Sequence, residues 1–144
     1  MYQAIFYTHI IVSFLALFLG ITSLIISILG LVRKYDYKPQ YRFVGKAYVL
    51  ALYMQLAVGL LMYFYPGQDK ALIENNAIDP GNSPTIRFWE IEHVAIMIFA
   101  LFIVQIGCIF ISNTKSSKRK YSLSLFYFGI PLGLMIFSML MSMR

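Results

Sequence analysis

The chain has 144 residues, of which 60% are hydrophobic and only 12% charged. A soluble domain carries about 25% charged residues, so this composition excludes an ordinary soluble fold and points to a membrane. The net charge of +6 invites a nucleic-acid partner, but the basic residues gather beside apolar stretches, where anionic lipid heads are the natural contact.

Four apolar stretches reach the roughly 20 residues that a spanning helix needs. They cover residues 5–32, 43–65, 88–112 and 121–143. Little is left over, so the expected architecture is one domain, residues 1–144: an all-α integral membrane protein, a four-transmembrane-helix up-and-down bundle. No basic residue precedes the first stretch, its apolar run is too long for a signal peptide, and no small-x-small pattern follows it. It is expected to stay in the mature chain.

The first helix carries a stripe. Steps of four and three from His9 give Ser13, Ala16, Gly20, Ser23, Ser27 and Gly30. These positions share one helix face, and small residues allow membrane helices to approach closely. The other faces hold Phe14, Leu15, Phe18, Leu19 and Ile25, suited to lipid or to neighbours. The stripe therefore points His9 into the bundle.

A short basic connection with Pro39 follows, which makes helices 1 and 2 antiparallel neighbours. Helix 2 carries Gln55 near its middle and Gly59 one turn on. A buried amide needs a partner, and another helix is the ordinary one. Pro66-Gly67 ends helix 2. The long connection after it is rich in turn residues at Asp79-Pro80-Gly81 and Ser83-Pro84, with a short surface helix expected over 69–77. Helix 3 opens on "RFWEIEH", Arg87 to His93, and holds the lone cysteine, Cys108, read as a small packing residue. Helix 4 contains "GIPLG", Gly129 to Gly133, read as a small-residue helix contact with a bend at Pro131.

Charge sets the expected topology. The first and third connections hold Arg33, Lys34, Lys38, Arg42, Lys46, Lys115, Lys118, Arg119 and Lys120 against Asp36 alone. The opposite side holds Lys70, Arg87 and Arg144 against Asp69, Glu74, Asp79, Glu90 and Glu92. The positive-inside rule then puts both termini on the outer face. In a bacterial inner (cytoplasmic) membrane that face is periplasmic.

The chain has two histidines. Helices 1 and 3 run in the same direction. Counted at 1.5 Å per residue, His9 and His93 both lie roughly 9–12 Å below the outer boundary. In an up-and-down bundle these helices are diagonal, so both imidazoles can face one gap. A low-spin haem takes two axial side chains, and bundle cores are a common place for such sites. His9 and His93 are thus the candidate ligands of one haem b. Trp89 is a candidate for the porphyrin face and Arg87 for a propionate. Glu90 and Glu92 are candidates for orienting the ring or handling protons. Zinc would need more ligands than two histidines.

"RFWEIEH", together with "QLAVGLLMYFYP" from Gln55 to Pro66, resembles a family of small bacterial four-helix membrane proteins labelled cytochrome-b-like. His9, Arg87, Trp89, Glu92 and His93 match its pattern. The resemblance spans nearly the whole chain and implies haem. Two positions depart from it. Tyr53 stands where the family has a further histidine, and Val94 replaces the proline after Glu-His.

Three functions compete. The first is a haem b electron carrier, or a redox subunit of a respiratory membrane complex, working with a quinone or quinol. The second is a cofactor-free accessory or assembly subunit packed against other membrane protein subunits. The third, a transporter or channel, is weakest, because no chain of charged residues crosses the spans. No catalytic triad, phosphate loop or nucleotide fingerprint is present, so a carrier or subunit is favoured over a stand-alone enzyme.

Overall fold

The computed structural model describes residues 2–64 and 92–141. Among these residues lie four helices: α1 (Tyr2–Arg33), α2 (Pro39–Phe64), α3 (His93–Asn113) and α4 (Ser117–Met141). All four are long and apolar enough to cross a membrane. Packing is closest between α1 and α2, between α3 and α4, and between α1 and α4; α2 meets α3 more loosely, and α1 and α3 face each other across a diagonal. This is the expected four-helix bundle, and it makes the chain a multi-pass membrane protein.

The exposure pattern is that of a protein solvated by lipid. Phe14, Phe18, Phe43, Phe64 and Phe102 point outward and are mostly exposed, while Ser23, Ser27, Gln55, Ser124 and Ser138 are buried. Lipid tails are as apolar as leucine, so membrane helices associate through close packing and interhelical hydrogen bonds rather than through hydrophobicity. The small stripe of α1 is the buried face. Ala16, Gly20, Ser23, Ser27 and Gly30 are buried along it, and His9 and Ser13 half-buried at its head. At Gly20 a Cβ would stand 2.8 Å from Leu132 Cδ1 and 2.9 Å from Tyr48 Cε2, closer than carbon atoms pack. The missing side chain is what lets Tyr48 lie fully buried against α1.

The helices run past the expected spans at the basic end. α1 ends at Arg33, and Lys34 adopts a left-handed φ of 54°. The Tyr35 N–H then donates to the Gly30 carbonyl at 3.2 Å. This six-to-one bond is the Schellman closure, with lysine where glycine is usual. α2 begins at Pro39, whose fixed φ and missing N–H suit a first helical turn. Arg42 and Lys46 are therefore helical and not part of a loop. Likewise Lys118, Arg119 and Lys120 lie in the first turn of α4, and only Thr114 to Ser116 separate α3 from α4. The physical reason is that helix hydrogen bonds continue into the lipid-head region, where long basic side chains reach outward.

Tyrosines lock this end. The Tyr37 N–H donates to Ser117 Oγ at 3.1 Å, and the Tyr121 hydroxyl donates to the Asp36 carbonyl at 3.1 Å. The Tyr37 and Tyr121 rings lie 5.0 Å apart, Tyr41 packs against both, and Lys120 Nζ sits 5.3 Å from the Tyr37 centroid. The α1–α2 connection is thereby fastened to the head of α4.

One expectation is corrected. Gly129 and Gly133 do not make a close helix contact: a Cβ at Gly133 would meet nothing within 4 Å, and one at Gly129 would meet only Leu24 Cδ2 at 3.5 Å. Pro131 and Leu132 between them are buried instead. Gly133 is exposed, and Gly129 is partly exposed at ordinary contact distance from α1. The surface helix expected over 69–77 lies outside the described residues.

Candidate functional site

The two histidines meet. The His9 and His93 ring centroids are 6.1 Å apart, with the rings at 69°. α1 brings His9 in on the head of its small stripe, and α3 brings His93 across the diagonal at the same level. Glu92 precedes His93 with helical φ and ψ and is exposed. Arg87, Trp89 and Glu90 lie outside the described residues.

Each imidazole has a polar partner from a neighbouring helix. Gln55 Nε2 lies 3.0 Å from His9 Nε2, and the same amide nitrogen donates to Ser13 Oγ. The Ser13 hydroxyl in turn donates to the His9 carbonyl at 2.9 Å. Gln55 thus ties α2 to α1 at two points, as expected of a buried amide. On the other side of the pair, His93 Nδ1 lies 2.6 Å from Ser138 Oγ of α4. All four helices contribute to the site.

The network around His9 is half satisfied. His9 Nδ1 and Gln55 Oε1 are buried and have no hydrogen-bond partner. A buried, unmade hydrogen bond costs about 1–3 kcal/mol per group. A donor at Gln55 Nε2 makes His9 Nε2 the acceptor, so the ring proton falls on Nδ1. Turning the planar amide over would place its oxygen at His9 and move the ring proton to Nε2. His9 therefore has two tautomers within reach of one side-chain rotation. Beside it Gly59 leaves room: a Cβ there would stand 3.4 Å from His9 Cε1 and 3.8 Å from Nδ1.

The spacing bears on a haem. His9 and His93, with ring centroids 6.1 Å apart, are the side chains that would hold a haem; the same separation is also that of two rings in ordinary edge contact. With the Gln55 amide turned over, His9 Nδ1 would carry the lone pair, and it is buried with no hydrogen-bond partner. The Ser138 contact occupies His93 Nδ1, the kind of second ring nitrogen that a ligating imidazole gives to an orienting partner. Among the described residues no three His, Cys, Asp or Glu side chains converge as a bare metal ion would require.

Tyr53, at the family's further histidine position, turns elsewhere. It is 46% exposed, and its hydroxyl donates to Gln105 Oε1 of α3 at 3.1 Å. Ser138 was not singled out in the sequence. A signal was present, since Ser124 and Ser138 are the polar members of a three-and-four series running Tyr121, Ser124, Phe128, Leu132, Met135 and Ser138, all buried.

The fold and site define a class: a four-helix, multi-pass membrane protein with a two-histidine cluster between diagonal helices. Compared with known protein families, with curated proteins and with solved structures, the chain gives no match.

Proposed function

We propose that the protein is a haem b-binding electron carrier, or a redox subunit of a respiratory complex, in the bacterial inner membrane. The observation that carries the proposal is the meeting of His9 and His93 at 6.1 Å from diagonal helices. When bound, the haem supplies reversible one-electron chemistry. The chain's own part would be to present the two imidazoles of His9 and His93 to it. Gln55, braced by Ser13, would hold the first ring, and Ser138 would orient the second. Arg87 is proposed as a propionate partner, Trp89 as a porphyrin contact, and Glu90 and Glu92 as proton-handling groups toward a quinol. The basic excess on the first and third connections supports periplasmic termini; a reporter fused after Arg144 should be active outside the cytoplasm.

The test is spectroscopic. Purified protein made with ample haem should show a low-spin Soret band that shifts on reduction. His9→Ala and His93→Ala should each abolish it, and Tyr53→Phe should leave it intact, because Tyr53 bonds Gln105 and not the histidine pair. A wild-type protein with no Soret band ends this reading.

One observation favours a second reading, the cofactor-free accessory subunit. His9 and His93 already pair with Gln55 and Ser138 inside the bundle, as structural histidines would. On that reading the outward aromatics are contacts for other membrane subunits, and the same histidine substitutions reduce stability without any spectral consequence.

A further inference from the structure

The looser packing of α2 against α3 leaves a cleft of about 330 Å³ at the basic end of the bundle. Its walls are Cys108 and Ile109 of α3 and Phe128 of α4, with Gln105 deeper and Arg42 and Lys46 at the rim. Arg42 and Lys46 are one turn apart on one face of α2, and both are exposed. The only carboxylates among the described residues are Asp36 and Glu92, and Glu92 lies at the other end of the bundle. Asp36 is the one described carboxylate at this end, and the cations of the cleft outnumber it.

The cleft is amphipathic in one direction. Its apolar lining is Cys108, Ile109 and Phe128, and the spanning parts of α2 and α3 beyond it carry Leu50, Phe102 and Ile106, all exposed. An occupant must therefore be anionic at one end and hydrocarbon at the other. A soluble phosphate has no use for the apolar walls, and a quinone has no charge for the cations. Gln105 accepts the Tyr53 hydroxyl through Oε1, which leaves its amide N–H groups to donate to an ester carbonyl below the rim.

We infer that the cleft between α2 and α3 is a binding site for one anionic glycerophospholipid, its phosphate held by Arg42 and Lys46 and one acyl chain lying against Ile109 and Phe128. Guanidinium and ammonium groups bind phosphate well, and each cation near a lipid headgroup adds measurable attraction. The inference is independent of the haem.

Native mass spectrometry of the full chain, released from detergent with phosphatidylglycerol or phosphatidylcholine of identical acyl chains, tests it. One phosphatidylglycerol should be retained, in preference to phosphatidylcholine. Arg42→Ala with Lys46→Ala should weaken retention about tenfold or more. Lys118→Ala with Arg119→Ala removes the same charge from exposed positions off the cleft and should leave retention unchanged. Cys108→Phe, which fills the cleft without altering charge, should also reduce retention while the far-ultraviolet circular dichroism stays the same. Equal loss from the two double variants would overturn the site in favour of diffuse surface attraction. So would equal retention of the two lipids, or a quinone retained in place of lipid.

Discussion

Gly30→Ala should destabilise the bundle, although alanine is the better helix former. Gly30 lies three residues before the end of α1 and faces Tyr121 of α4. A Cβ there would come no more than 2.6 Å from Cζ, Cε1 and Cε2 of the ring, where carbon atoms need about 3.5 Å. The ring has no easy retreat: it is fully buried, packs at 5.0 Å against Tyr37, and holds the Asp36 carbonyl through its hydroxyl. Overpacking of this kind costs about 1–3 kcal/mol. Loss of the hydroxyl bond adds about 1 kcal/mol, and the higher helix propensity of alanine returns about as much. The expected net loss is about 1–3 kcal/mol, a fall of several degrees in Tm, read by circular dichroism in detergent. Gly133→Ala is the control, since nothing lies within 4 Å of that Cβ; it should be neutral or slightly stabilising. In a Tyr121→Leu background the cost of Gly30→Ala should shrink, a coupling of about 0.5–3 kcal/mol. If Gly30→Ala is as stable as wild type, or if Gly133→Ala costs as much, the close approach of α1 and α4 is not what holds the basic end together.

Three further predictions concern other parts of the chain. Gly20→Leu should cost about 3 kcal/mol or more by driving a side chain into Leu132 and Tyr48, against about 1–2 kcal/mol for Leu19→Ala at a half-buried site; similar yields of folded protein in detergent would count against the buried stripe. Ser138→Ala removes the partner of His93 Nδ1 and should weaken haem retention about 10- to 100-fold with unchanged helicity, measured by haem titration; undiminished affinity would show that Ser138 does not orient the ring. Lys34→Gly relieves a left-handed backbone at φ 54° and should raise stability by about 0.5–1 kcal/mol, seen as a higher Tm; a lower Tm would mean that the Lys34 side chain contributes more than the strain it carries.

The sequence by itself determined the four spans, the buried face of α1 and the common level of the two histidines. Each of these is a local property. Spans follow from runs of apolar residues, and the buried face follows from small residues at three-and-four spacing. The shared level follows from counting residues inward along two parallel helices. The amide of Gln55 announced its need for another helix because a membrane offers it no water. Which atoms meet is a matter of packing. Ser138 as the partner of His93, the turn of Tyr53 toward Gln105, the exposure of Gly133, and the cleft between α2 and α3 all depend on how each helix is rotated against its neighbours. Hydropathy cannot supply that rotation. In lipid an apolar side chain is equally at home outside or in the core, so most residues of α2, α3 and α4 carry no inward label. The helix ends were also tertiary. Pro39 and Ser117 could start helices as early as they do because Tyr37, Tyr121 and Ser117 bind the connections back onto the bundle, a set of contacts between residues about eighty positions apart.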